Sequence, residues 1–422
     1  MGTERKGAPR ASLARVKTDA DAVGMDPTRL ERIDDHLRRS YVEAGKIAGC
    51  QVAVMRRGVL AHYAAIGYAD RERKVPVSED TIWRIYSMTK PITAVALMTL
   101  YEKGVFALTD PVARFLPQWE GLEVAEVGDD GSTRLVAPAR PMQIRDLMMH
   151  MSGIGYGAGN ADLDVVPLAS RSGARFRIDA DLASMTERLS RTPLRFHPGT
   201  HWLYSLGLDV CGRLVEIMSG QRFDEFLQEE IFSPLGMSDT AFKVKEKDVN
   251  RFAAAYSRNS HKELVLVDDP AQSVYLTEPT FLAGGGGLVS TIGDYLRFAD
   301  MMRSGGQLDG TRILGPKTVE LMTINHLPGG GMMTDFALPG SYGEAGFEGK
   351  GFGLSMAVSA GPAATGVIGS AGEYMWGGAA STTFWVDPAE ELVVVFMTQL
   401  LPSGTFNFAG QLKALIYPAI VD

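Results

Sequence analysis

The segment PITAVALMTL, residues 91–100, constrains the fold most: only Thr93 and Thr99 interrupt its apolar run. A helix that is apolar on nearly every side has to be buried on nearly every side. The chain must therefore wrap this segment in other elements. A lysine, Lys90, stands at its front, three residues after Ser87. Lysine is among the residues least often fully buried, because an unpaired charge is costly to desolvate. Its place ahead of a buried helix needs a reason.

The wrapping elements are read from period and punctuation. Asp26 is placed to cap a helix over 26–45, with Pro27 at its first position. Residues 51–55 and 59–65 flank "RRG" and predict a β-hairpin. The apolar helix follows and ends near Gly104. From 110 to 280 loops and helices dominate, with glycine-marked loops at 128–132 and 149–160. An amphipathic helix is predicted over 206–218, ended by Gly220, and another over 223–231. "GGGG" at 284–287 punctuates the chain, and Thr291 caps a helix ending near 304–305. Residues 351–359, 380–387 and 391–399 are β-rich, "DPAE" turns between the last two, and a helix covers 407–420.

Strands thus lie at both ends and helices between them. The expected class is α/β (α+β): an antiparallel sheet built from both ends, flanked by helices, with a helical subdomain inserted. The expected division is a flexible tail over 1–24, a discontinuous α/β sheet domain over 25–109 and 285–422, and a mainly helical subdomain over 110–284. A site would sit in the cleft between the last two.

Composition narrows the function. The chain has 422 residues, 45% hydrophobic, enough for a substantial core. Lys+Arg number 42 against Asp+Glu 50, a net charge of −8 with no long basic run, which argues against nucleic-acid binding. The basic residues near the start are interleaved with small and polar ones and suit a solvated tail. Cys50 and Cys211 lie in apolar surroundings and are expected to be buried free thiols. No apolar leader core is evident, and no stretch reaches the roughly 20 apolar residues that span a bilayer. The expectation is a soluble cytoplasmic protein without membrane association, a monomer or homo-oligomer. Seven histidines include no H-E-x-x-H, so no metal and no cofactor is implied. His197 and His201 flank "PG", cannot share a helix face, and read as loop residues near Tyr204.

Ser87 and Lys90, three apart at a helix start, lie on one face and can touch. The helix N-terminus stabilises negative charge and helps the serine toward its alkoxide. A desolvated lysine is easier to neutralise, and a neutral lysine accepts a serine proton. S-x-x-K arises by spacing alone on the order of once in a chain this long, and Lys90 can instead snorkel to water. Tyr204 precedes the helix over 206–218. A tyrosine there is ordinarily a core residue, but beside a cation it can relay a proton. In "EYMWGGAASTTFWV", 373–386, two glycines open a β-strand, which suits either a bulge or close approach of a ligand to a strand-edge N–H.

Taken in order, "SMTK" (87–90), "YSL" (204–206) and "WGG" (376–378) resemble the motifs of the serine β-lactamase and penicillin-binding-protein superfamily. Within it the chain most resembles the family VIII carboxylesterases, which share the class C β-lactamase fold. Supporting segments at 144–154, 195–205, 232–240 and 284–298 match family habit, and the resemblance spans residue 26 to the C-terminus. It implies that Ser87 is the nucleophile, Lys90 its base or relay, and Tyr204 a second acid/base. It implies an oxyanion hole of the Ser87 and Ala379 N–H groups. Trp376, Gly377, Gly378 and Leu206 would then line the substrate site. Two departures matter. The β-lactamase pattern has asparagine where Leu206 stands and lysine where Trp376 stands. Both changes remove polar anchors for a β-lactam and favour uncharged, short-to-medium acyl carboxylic esters as the small-molecule substrate. A weak cephalosporinase side activity is compatible with this.

Other readings stay open. The same site can transfer an acyl group or hydrolyse an amide or a β-lactam. A peptidoglycan D,D-peptidase is disfavoured by the missing lysine of the third motif. A non-catalytic ligand-binding member of the fold is disfavoured by the intact Ser–Lys–Tyr set. No G-x-S-x-G frames a serine, which counts against an α/β-hydrolase.

Overall fold

A computed structural model of the chain describes residues 18–422, apart from 129, 157–179, 340, 342, 344 and 345. The centre is an eight-stranded antiparallel sheet. Its strands are β1 (Gly49–Arg56), β2 (Val59–Asp70), β3 (Val75–Pro76), β4 (Lys350–Phe352), β5 (Ala357–Ser359), β6 (Tyr374–Gly377), β7 (Thr383–Asp387) and β8 (Leu392–Thr398), in the order β4-β5-β6-β7-β8-β1-β2-β3. The β1–β8 pairing, from Cys50↔Thr398 to Arg56↔Leu392, joins the two ends of the chain. The hairpin turn between β1 and β2 has Arg57 and Gly58 both at positive φ, 51° and 77°. Paired left-handed residues of this kind match the twist of the flanking strands.

β8 is buried along its whole length, because helices cover both faces. Helix α1 (Pro27–Leu37) packs on β2 and on the C-terminal helix. Its N-cap is Asp26, whose Oδ1 accepts from the Thr28 and Arg29 N–H groups at 2.9 and 3.3 Å. Helix α2 (Thr89–Glu102) is the apolar segment, with residues 89–100 all buried. It packs against α3 (Gly207–Ser219), which Gly220 ends in a left-handed conformation. Helix α4 (Ile292–Arg303) crosses β1, β7 and β8 on one face, bringing Tyr295 onto Phe384. Helix α5 (Phe408–Ile416) lies on the other face, with Phe408 on Phe396 and the Lys413 ammonium over the Trp385 ring. Phe384 and Trp385 are neighbours on β7 and point to opposite faces, as the period of two requires.

Several details differ from the sequence reading. The 351–359 stretch is two short strands, with Phe352 paired to Ala357 and Ser355 at φ 82° between them. The glycines at 377 and 378 close a strand and begin a turn; they do not open one. The 110–284 stretch holds two antiparallel strand pairs besides its helices, Val124–Val127 with Thr133–Val136 and Ala255–Arg258 with Leu264–Asp268. Residues 1–17 of the expected flexible tail lie outside the described residues. Ala20 and Val23 are buried, and the Arg56 guanidinium donates to the Val23 and Gly24 carbonyls at 2.8 and 3.2 Å. Most of the glycine-rich loop expected over 149–160 is described, and 157–160 is not.

Candidate active site

Ser87 sits in a single 3-10 turn, Tyr86–Met88, that runs directly into α2. Tyr86 takes φ +42°, an unusual value for a bulky residue. Backbone strain of this kind persists only where the surroundings over-determine it. Here they do: the Ile85 N–H donates to the Leu288 carbonyl at 3.1 Å, and the Tyr295 hydroxyl donates to the Met88 carbonyl at 2.9 Å. The serine is thus held from the α4 side.

Lys90, the second residue of α2, has no exposed surface. Its Nζ lies 3.2 Å from Ser87 Oγ and donates to the Gly285 carbonyl at 2.6 Å. It also stands over the Tyr204 ring, 4.4 Å from the centroid, and 5.9 Å from the Tyr156 ring. A π face and a carbonyl both favour the ammonium, whereas burial opposes it.

Tyr204 is fixed from both sides of its segment. The Trp202 N–H donates to the Phe336 carbonyl at 2.8 Å and the Leu203 N–H to the His150 carbonyl at 2.9 Å. The rings of His150, Tyr156 and Trp376 pack on the Tyr204 ring at 4.8, 5.6 and 5.6 Å. The Trp376 indole N–H donates to the Tyr204 oxygen at 3.2 Å, fully buried. Where the β-lactamase pattern has a cation, Trp376 puts a neutral donor on the tyrosine oxygen, and a donor there favours the phenolate.

The turn after β6 comes against the Ser87 turn. The Gly378 N–H donates to the Thr382 carbonyl at 2.8 Å and the Ser381 N–H to the Gly378 carbonyl at 2.9 Å, which tightens the turn that carries Ala379. A Cβ on Gly378 would meet the Ile85 carbonyl oxygen at 2.4 Å, so glycine is what lets the turn approach this close. Gly377 pairs with Thr383 at the end of the ladder. Leu206 is buried at the N-cap position of α3.

Ser87, Lys90, Tyr204 and Trp376 therefore converge at one place, with the Gly378–Ala379 turn beside Ser87. His197 and His201 do not join them: His197 Nε2 lies 2.9 Å from Glu126 and its Nδ1 accepts from the Ala139 N–H, while His201 is exposed. Three contributors were not read from the sequence. His150 is buried against Tyr204 with Nδ1 2.9 Å from Ser205 Oγ; burial and the Lys90 charge push its imidazolium form well below the usual range. Gly285 accepts from Lys90, and its N–H donates to Asp209 Oδ1 at 2.9 Å. Asp209 is fully buried in the first turn of α3. The available signal was "GGGG" itself. A Cβ on Gly284 would lie 2.5 Å from the Leu208 carbonyl and one on Gly285 2.5 Å from Asp209 Oδ2, so the run is wedged against α3. Its backbone is part of the site.

Comparison with known proteins decides the family. The model of the family described as Beta-lactamase matches residues 35–417. The chain belongs to the Beta-lactamase family.

Among relatives of this Beta-lactamase-family protein is Esterase EstB of Burkholderia gladioli, 32% identical over 413 residues, covering 93% of this chain and 95% of that one. Monacolin J acid methylbutanoyltransferase of Aspergillus terreus is 33% identical over 254 residues, 58% of each chain. A solved structure described as EstCE1, a hydrolase with promiscuous acyltransferase activity, superposes with a TM-score of 0.75 at 25% identity, covering 93% of this chain and 99% of that one. The antiparallel sheet with flanking helices is the fold of this family. Among the described residues no helix is long and apolar enough to cross a membrane.

Proposed function

We propose that this Beta-lactamase-family enzyme is a serine carboxylesterase of the family VIII type, acting on short-to-medium acyl esters through an acyl-enzyme on Ser87. One observation carries the reading: a fully buried Lys90 side-chain nitrogen 3.2 Å from Ser87 Oγ, with the Tyr204 ring against it. The similarity to an esterase over nearly the whole chain supports it.

In the proposed reaction neutral Lys90 takes the Ser87 proton as Oγ bonds to the ester carbonyl carbon. The oxyanion is held by the Ser87 and Ala379 N–H groups. The tetrahedral adduct expels the alkoxide, which is protonated through Tyr204. Water then adds to the acyl carbon, giving a proton to Tyr204, and Ser87 leaves with the proton returned from Lys90. The Trp376 N–H at 3.2 Å steadies the tyrosine oxygen while its charge changes. Trp376, Gly377, Gly378 and Leu206 line the substrate site in this reading. Acyl transfer to an alcohol uses the same acyl-enzyme with a different acceptor, and the similarity to an acyltransferase and to a hydrolase with acyltransferase activity favours it as the second reading. Cytoplasmic residence belongs to the same proposal, supported by two buried free thiols, Cys50 and Cys211.

The test is hydrolysis of p-nitrophenyl butyrate and nitrocefin side by side, with Ser87→Ala as control. Fast butyrate cleavage, weak nitrocefin cleavage and an inactive variant are expected. Nitrocefin as the better substrate would overturn the weight given to Leu206 and Trp376. Ser87→Ala with more than a trace of esterase activity would overturn the site.

A further inference from the structure

The reaction above gives no role to Asp209, a buried acid beside Lys90. Asp209 bonds the same residue as Lys90: the Gly285 carbonyl accepts from Lys90 Nζ at 2.6 Å, and the Gly285 N–H donates to Asp209 Oδ1 at 2.9 Å. Asp209 Oδ2 is buried without a hydrogen bond, packed where a Gly285 Cβ would stand. Gly285 thus has a cation on the oxygen of its peptide with Gly286 and a carboxylate on the nitrogen of its peptide with Gly284. The two hydrogen bonds fix this backbone between Lys90 and Asp209, and in a low-dielectric site the two charges also act on each other directly.

We propose that Asp209 is a positioning residue that orients Lys90 through the backbone of Gly285 and governs its proton occupancy through its charge. This rests on the reading of Lys90 as the base for Ser87. The sign is fixed by charge. An ionised Asp209 favours the Lys90 ammonium and so raises the pH at which the free base appears. Burial pushes the Asp209 carboxyl up to about 6, against the pull of Lys90 and the Gly285 N–H. The carboxylate is therefore ionised at neutral pH, when Lys90 must release its proton.

The other groups facing the pair carry little competing charge. His150, from the loop after Ile144–Met148, is held neutral by burial and by Lys90 itself. Cys211, on α3, is held as a thiol by burial and by Asp209. Tyr204 and Tyr156 present ring faces to Lys90. On the helices packed against α3, Asp146 is engaged by Arg140 at 2.6 and 2.8 Å, Asp224 is engaged by Arg222 at the surface, and Glu187, Arg188 and Glu225 are exposed. On α2, Glu102 lies at the far end and accepts from the Gly315 N–H.

The experiment compares Asp209→Asn with Asp209→Leu. Asparagine keeps an oxygen for the Gly285 N–H and removes the charge; leucine removes both. In p-nitrophenyl butyrate hydrolysis, the rising limb of kcat/KM against pH should move down by about one unit in Asp209→Asn. Its KM should stay within about threefold of wild type. Asp209→Leu should lose kcat by about 10²-fold, the scale of a catalytic group misplaced by 1 Å. An Asp209→Asn profile that overlays the wild-type profile overturns the proposal, whatever the rate. So does an Asp209→Leu enzyme with wild-type kcat. If Asp209→Asn does not fold, the reciprocal titration decides. In Lys90→Met, carboxyl ¹³C NMR of labelled aspartates should show the buried Asp209 ionising at higher pH than in wild type; an unchanged titration overturns the proposal. Failure of the esterase reading is distinguished by Ser87→Ala, which tests the nucleophile without touching this pair.

Discussion

Gly378→Ala isolates the approach of the Gly378–Ala379 turn, the proposed oxyanion donor, to Ser87. The new Cβ would sit 2.4 Å from the Ile85 carbonyl oxygen and 2.3 Å from Thr382 Oγ1, where ordinary contact begins at about 3.4 Å. Threonine can rotate. The Ile85 carbonyl is backbone, two residues before Ser87, and its N–H is tied to Leu288. The turn therefore has to retreat by about 1 Å. A misplacement of that size costs about 10²-fold, and loss of one oxyanion donor costs about 10²–10³ in kcat. Overpacking of this kind destabilises a fold by about 1–3 kcal/mol, less than most domains have in reserve. The expected variant is folded, with near-native circular dichroism, KM within threefold of wild type and kcat for p-nitrophenyl butyrate down at least 10²-fold. Adding Thr382→Ala should not rescue it, because the clash with the Ile85 carbonyl remains. A folded Gly378→Ala enzyme with kcat within threefold of wild type would refute the reasoning.

Other outcomes follow from single contacts. Trp376→Phe removes the donor to the Tyr204 oxygen and keeps an aromatic ring; a net hydrogen bond of about 0.5–1.5 kcal/mol predicts a fall in kcat of about 2–13-fold, read by steady-state kinetics. Tyr204→Phe should reduce kcat by at least about 10²-fold, with Ser87 still labelled slowly by a fluorophosphonate. Lys413→Met strands Glu373, which bonds Lys413 and the Tyr417 hydroxyl behind the sheet. The loss should be about 3–5 kcal/mol in urea unfolding at pH 7 and smaller at pH 5, because burial already raises the Glu373 carboxyl and its protonated form needs no cation. Asp26→Ala removes the α1 cap. The Thr28 hydroxyl holds the Asp26 carboxyl below its ordinary 3.8, so its stabilisation is present above that pH and is lost as pH falls through the lowered value. The Tm difference from wild type should be clear at pH 7 and vanish in strong acid.

Much of this molecule is legible because its signals are local. The burial of α2 follows from residues 91–100 alone, and the caps Asp26, Thr291 and Gly220 act within one turn. The hairpin at Arg57–Gly58 and the final strands follow from a two-residue period and turn chemistry. Ser87 and Lys90 share one turn, so their meeting needs no tertiary knowledge. Tyr204 and Trp376 are 172 residues apart, and only the resemblance to a family brought them together beforehand. What stayed hidden is long-range and backbone-mediated. Asp209 reads as one polar residue on an amphipathic helix, and nothing local says that a glycine run 76 residues later donates to it. His150 likewise faces Tyr204 only because its own backbone turns to φ +58°. The glycines at 377–378 close a strand instead of opening one, because their pattern marks a turn without giving its direction.

The central claim is that Ser87, activated by Lys90, carries the acyl group. Its most direct measurement is peptide mass mapping after brief incubation of the enzyme with an alkyl fluorophosphonate, alongside loss of p-nitrophenyl butyrate hydrolysis. One adduct per chain is expected on the peptide that carries Ser87, formed in step with loss of activity and absent in Lys90→Met. An enzyme that keeps turning over ester with Ser87 fully modified, or that is inactivated by an adduct on another residue, would contradict it.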